Sequence, residues 1–236
     1  MKHLYPPETW EIFPLAQYIA HDKTDMLYHD LGQFVTSRQV LSWTLGMGFC
    51  MSFRLGARAL RHDRILEWVR WLDRIQKSVC SRYVGEPLNA FEYDRGSGKS
   101  MEDDGIMRAV YGDVEIVANL ESRAINEKNR ELPPYGFYAT APGIVAANLK
   151  NLGGIDFGDD GISFVVEKKD QGTHIWVYER PGREVCVEFP GSAGDNLSLI
   201  ADDGSVIQAE VRNGILKFRL PENAGETRYV WHFTAR

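Results

Sequence analysis

The feature that most constrains this chain is a change of hydrophobic period near Gly85. Before it, apolar residues recur at steps of three and four, the spacing of one helix face. Ile65, Leu66, Trp68, Val69, Leu72, Ile75 and Val79 follow Asp63 in this way, with Arg70, Asp73, Arg74 and Lys77 on the other side. The spacing predicts an amphipathic helix capped by Asp63 and ended by Gly85, with Pro87 beyond. Upstream, Thr36 or Ser37 is positioned to cap a largely buried helix through Val40, Leu41, Trp43, Leu45, Met47, Phe49, Met51 and Phe53. Gly56 is its expected stop, and Gly46 and Gly48 mark close packing or a break.

After Pro87 the period becomes two, the repeat of a strand with one buried face. Strands are predicted over 88–93, 106–111, 113–120 and 136–140. A second set follows the punctuation at Gly153 to Gly161, over 162–167, 173–179, 184–189, 197–201, 205–211, 215–220 and 227–233. Asn213-Gly214 between two runs signals a tight hairpin, and Pro181-Gly182 another turn. Helices first and strands afterwards predict an α+β multidomain chain: an N-terminal helical segment, then antiparallel β-sandwich domains. The expected boundaries are 1–85, 86–153 and 154–236, although a single merged sheet also fits the strand spacing.

Gly-Ser-Gly-Lys-Ser at positions 96–100 looks like the tail of a phosphate-binding loop. Such a loop needs an earlier glycine where Tyr93 stands, and a helix to follow. Glu102, Asp103 and Asp104 follow instead and would repel phosphate. A solvated hairpin loop is the expectation.

The net charge of −6 and the absence of a Lys/Arg-rich run argue against nucleic acid and anionic membranes as partners. No apolar stretch approaches the roughly 20 residues of a membrane span, and the first residues lack the apolar core of a signal peptide. Cys50, Cys80 and Cys186 are odd in number and widely spaced, so neither a disulfide framework nor a zinc module is expected. The compartment is not fixed; three buried thiols favour a reducing one such as the cytoplasm. No Gly-x-Ser-x-Gly elbow, Cys/His signature, or flavin or nicotinamide motif occurs, and no cofactor is expected.

Phe13 to Phe34 is the most informative stretch. An element over Phe13–Ala20, a short buried strand over Asp25–His29, a loop and a helix read as one unit of a β/α barrel, whose strand ends carry active-site polar groups. Tyr28, His29 and Asp30, at that strand end, are the candidate substrate-binding residues. His29 as a structural histidine and Asp30 as a cap are the competing readings. His21-Asp22 repeats the dipeptide, and a metal site from the two histidines lacks a third ligand.

This layout resembles the C-terminal region of large bacterial glycoside-hydrolase-like proteins, in which a catalytic (β/α)8 barrel precedes β-sandwich domains. "FPLAQYIAHD" with "MLYHDLGQF" is similar to the last barrel strands. Tyr111 to Gly143, with its strand into Asn119 and its Leu-Pro-Pro-Tyr-Gly-Phe turn, is similar to the first sandwich. The resemblance implies a partial barrel over 1–85, a carbohydrate partner, and a catalytic carboxyl pair upstream of Met1. No catalytic residue is therefore assigned here. An open barrel wedge would expose apolar strands, so self-association through residues 10–60 is expected. The alternative is a self-standing, non-enzymatic carbohydrate- or protein-binding module. Tyr135, Phe137, Tyr138, Trp176, Tyr178, Tyr229 and Trp231 are candidate sugar-stacking rings, with core packing as the competing role. The acidic turns "DFGDDG" and "IADDG" read as β-turns rather than calcium loops.

Overall fold

The computed structural model describes residues 14–24, 35–53, 61–94, 105–189, 196–222 and 229–235. Three helices come first: α1 (Leu15–Ala20), α2 (Arg38–Gly46) and α3 (Asp63–Ile75). Ser37 caps α2, its hydroxyl accepting from Val40 N–H. That helix ends ten residues before Gly56, because Gly48 turns left-handed at φ +68. A side chain at Gly48 would meet the Tyr111 ring at 2.5 Å, so only hydrogen fits there. Helix α3 runs on through a π-helical turn, Gln76–Cys80, and a last turn, Ser81–Tyr83, as its periodicity predicts.

The strands follow: β1 (Leu88–Asp94), β2 (Ile106–Tyr111), β3 (Val114–Asn119), β4 (Ile125–Glu127), β5 (Arg130–Leu132), β6 (Phe137–Ala141), β7 (Ile144–Leu149), β8 (Asn151–Leu152) and β9 (Ile155–Asp156). Then come β10 (Ile162–Lys169), β11 (Gly172–Tyr178), β12 (Glu184–Glu188), β13 (Asn196–Ala201), β14 (Val206–Arg212), β15 (Ile215–Arg219) and β16 (Val230–Ala235). Twelve strands form one sheet in the order β1-β2-β3-β6-β7-β10-β11-β16-β13-β14-β15-β12; β4, β5, β8 and β9 form a smaller one. The pairings are antiparallel. Asn213 (φ +51) and Gly214 (φ +74) make the expected tight turn between β14 and β15.

The partial-barrel expectation is overturned. The protein is mainly one antiparallel sheet braced by a few helices, not an α+β chain carrying part of a barrel. Helices α2 and α3 lie flat on a face of the large sheet. Leu41, Leu45, Trp71, Leu72 and Ile75 share one core with Ile116, Phe137, Ala146, Val165 and Trp176. The element over 13–20 is helix α1, and the predicted strand over 25–29 lies outside the described residues. The sheet also runs unbroken from the middle strands to the last ones through the β7–β10 ladder, so the strands do not sort into two sandwiches. The physical reason is the tying of the helices to the sheet. Ser42 donates to Tyr135 O at 2.6 Å, Tyr111 on β2 donates to Gly46 O at 3.2 Å, and Arg38 donates to Asp159 O and Asp160 O at 2.9 and 2.6 Å.

The other face of the sheet curls over so that β12 lies against β10. Phe164, Val166, Ile175, Val177, Val185, Val187, Leu216, Phe218, Trp231 and Phe233 fill the second core. The central strands are thus buried on both sides. Strands β1 and β2 are paired neighbours, and the Gly-Ser-Gly-Lys-Ser segment between them lies outside the described residues. Among the described residues no helix is long and apolar enough to cross a membrane.

Candidate functional site

Strands β3 and β6 pair Glu115 with Thr140 and Val117 with Tyr138, so these four side chains share one sheet face. The β4–β5 hairpin folds over them. Its tip, Lys128 and Asn129, adopts φ +46 and +67, the left-handed pair that a two-residue hairpin turn needs. Between hairpin and sheet lies a hollow of about 260 Å³, lined by Glu115, Glu127, Lys128, Arg130, Tyr138 and Thr140 with Val117 and Leu132.

The polar walls are fixed by charge. Arg108 on β2 reaches Glu127 through Nε at 3.1 Å and Nη2 at 2.7 Å. Arg130 reaches Glu188, 58 residues away at the end of β12, at 2.7 and 3.1 Å. Both are two-pronged pairs, which set orientation as well as charge. The Tyr138 hydroxyl donates to Glu188 at 2.8 Å, and the Arg130 guanidinium sits 4.0 Å over the Tyr138 ring. Lys128 lies 3.9 Å from Glu115.

These contacts set the protonation states. Hydrogen bonding from Arg108 holds the Glu127 carboxyl below its usual value. Burial, and then the Glu188 charge, push the Tyr138 phenol up. The hollow therefore presents the Glu127 carboxylate in its ionised form and a neutral phenol. It can accept hydrogen bonds from hydroxyl groups and donate through Lys128, Arg130 and Thr140. Glu127 cannot act as a general acid, which needs a raised carboxyl value.

Tyr28, His29 and Asp30 lie outside the described residues. His21 is 2% exposed and structural. Its ring nitrogens face Glu86 O at 2.7 Å and Gly48 O at 2.8 Å, and Tyr111 packs on the ring at 4.5 Å. Asp22 pairs with Lys23 on the surface. Of the candidate rings, Trp231 is core, its indole N–H donating to Glu179 O at 2.9 Å, and Phe137 is buried. Trp176 is 6% exposed and lies beneath Arg74. Tyr138 borders the hollow. Arg108, Glu127, Arg130 and Glu188 carried no sequence signal, because their pairing depends on the sheet topology.

Asp156 and Asp203 accept the backbone N–H of Gly158 and Ser205 within their own turns, at 2.8 and 3.0 Å. Among the described residues no group of three or more His, Cys, Asp or Glu side chains is placed to hold a metal ion.

The fold and the hollow define the class no further than a helix-braced antiparallel β protein with a polar surface site. No protein-family model matches the chain, no curated protein matches it, and no solved structure matches it.

Proposed function

We propose that this chain is a carbohydrate-binding β module that holds a sugar without cleaving it, the reading expected for a self-standing binding domain. The observation that carries it is the hollow's preorganised polar wall. The Glu127 carboxylate, oriented by Arg108, and the Arg130 guanidinium, oriented by Glu188, meet sugar hydroxyls at little reorganisation cost. A neutral polyol suits a lining in which Lys128, Arg130, Glu115 and Glu127 balance in charge. Membership of a larger glycoside-hydrolase-like protein is the competing proposal and rests on the sequence resemblance alone.

Calorimetric titration with a panel of neutral oligosaccharides tests it. Binding should appear for at least one member. Arg130→Ala should weaken that binding at least about tenfold, equivalent to about 1.4 kcal/mol. Nitrophenyl glycosides should stay intact. Binding unchanged in Arg130→Ala, or turnover by this chain, would count against the reading.

Self-association through residues 10–60 stands as a separate proposal. It is supported by Leu15, Tyr18 and Ile19 of α1, which are 55%, 43% and 60% exposed. A concentration-independent monomer in sedimentation would remove it.

A further inference from the structure

On the helix-bearing face, beyond the edge of α3, three titratable side chains stand in series. Asp202, in the turn after β13, faces His232 Nδ1 at 2.6 Å. His174 Nδ1 on β11 faces a ring nitrogen of His232 on β16, Nε2, at 3.0 Å. The two imidazole planes differ by 4° with centroids 5.3 Å apart. That separation equals the nitrogen distance plus the two ring radii, so the rings lie edge to edge in one plane. This is the alignment of an N–H···N hydrogen bond rather than of face-to-face stacking.

The carboxylate fixes the tautomers. Asp202 accepts, so His232 Nδ1 carries a hydrogen and its Nε2 offers a lone pair. His174 Nδ1–H donates to that lone pair. The Trp176 indole runs nearly parallel to both rings, at 12° and 14°, with centroids 4.7 Å from His232 and 5.6 Å from His174. Other charges also bear on the pair. Arg74 from α3 lies 3.9 Å over Trp176. Glu167 on β10 sits directly across from His174 and pairs with Lys169 at 3.1 Å.

We propose that the Asp202–His232–His174 series is a pH-sensitive tie, closing the β13–β14 turn onto β11 and β16 and covering Trp176 until both imidazoles are protonated. One added proton is tolerated, because a hydrogen still faces a lone pair. A second sets N–H against N–H at the same contact, between two cations that already border Arg74 and Lys169. The contact must then open.

Burial, then the charges of His232 and Lys169, hold the His174 imidazole below its ordinary value of 6.5, against the pull of Glu167. A depressed folded value means that the unfolded chain binds the proton more readily. The tie's contribution is therefore complete above about pH 6.5 and is lost as pH falls through the lowered value.

Hydrogen exchange on the intact chain at about pH 7.5 and pH 5, corrected for intrinsic rates, tests the proposal. Protection of residues 199–206 should fall at least about tenfold at the acid end, and more than in β10. His174→Gln keeps a donor toward His232 but removes the titration, so its acid loss should disappear. Unchanged protection in the wild type at pH 5, or an equal acid loss in His174→Gln, overturns the proposal. Imidazole nitrogen shifts in the wild type give a readout independent of the variant's folding. At neutral pH they should report hydrogen on Nδ1 of His232 and none on its Nε2; the reverse also overturns it.

Discussion

Glu67 illustrates how one residue couples the helical and β parts. It lies on α3 and is 4% exposed. One carboxylate oxygen accepts the backbone N–H groups of both Tyr229 and Val230 at 2.7 Å, where β16 begins, and Arg70 pairs with the other. A strand entering a sheet has N–H groups that need partners, and a buried carboxylate supplies both bonds at once. Glu67→Ala should cost about 3 kcal/mol, since it removes the shared acceptor of two partly buried donors and the packing of a buried side chain. Glu67→Gln, which keeps one acceptor oxygen in place, should cost about 1 kcal/mol. Urea unfolding of the two variants measures both values; equal losses would show that the side chain acts through packing alone. The heptad-like spacing around Glu67 announced its helix but placed Glu67 no differently from any other polar residue.

At the scale of elements, the β4–β5 hairpin is held by two guanidinium–carboxylate clamps in addition to the Ile125–Leu132 pair that it packs on the core. Glu127's folded value is lowered by Arg108. The clamp's stabilisation is therefore present above the ordinary carboxyl range of about 4.5 and lost as pH falls through the lowered folded value. Exchange protection of residues 125–132 should drop in that acid window. Arg108→Gln should show the drop already at neutral pH. A hairpin indifferent to both would mean that the ion pairs are ornamental.

Which elements could be read in advance follows from how they are buried. The body of α3, the Ser37 cap and the Asn213-Gly214 turn carry local signals and appear where those signals put them, whereas Asp63 is the first residue of α3 rather than its cap, a place taken by His62 with no side-chain bond. Strand β7 does not alternate: all six residues from Ile144 to Leu149 are buried, because helices cover one face and the curled sheet the other. A strand buried on both sides has no period of two to detect. β4 and β5 have three residues each, too few to show a pattern. The clamp from Arg130 to Glu188 spans strands far apart in sequence, and no local spacing encodes such a pair.

For the whole molecule, the difference between expectation and outcome is one of closure. A helical wedge followed by two sandwiches would make three loosely coupled units. Instead β7 and β10 join the middle strands to the last ones, and α2 and α3 pack on that same continuous sheet. Calorimetric unfolding should therefore show one cooperative transition, with calorimetric and van't Hoff enthalpies in agreement. Two resolved transitions would restore separate domains.

The hollow under the β4–β5 hairpin is where this architecture is proposed to meet its ligand. Amide-resolved magnetic resonance of the whole chain, titrated with neutral oligosaccharides, tests that most directly. Shift changes should concentrate in residues 115–117, 127–132 and 138–140, saturate with sugar, and leave the sugar intact. No response at millimolar sugar, or a response centred elsewhere on the sheet, would contradict it.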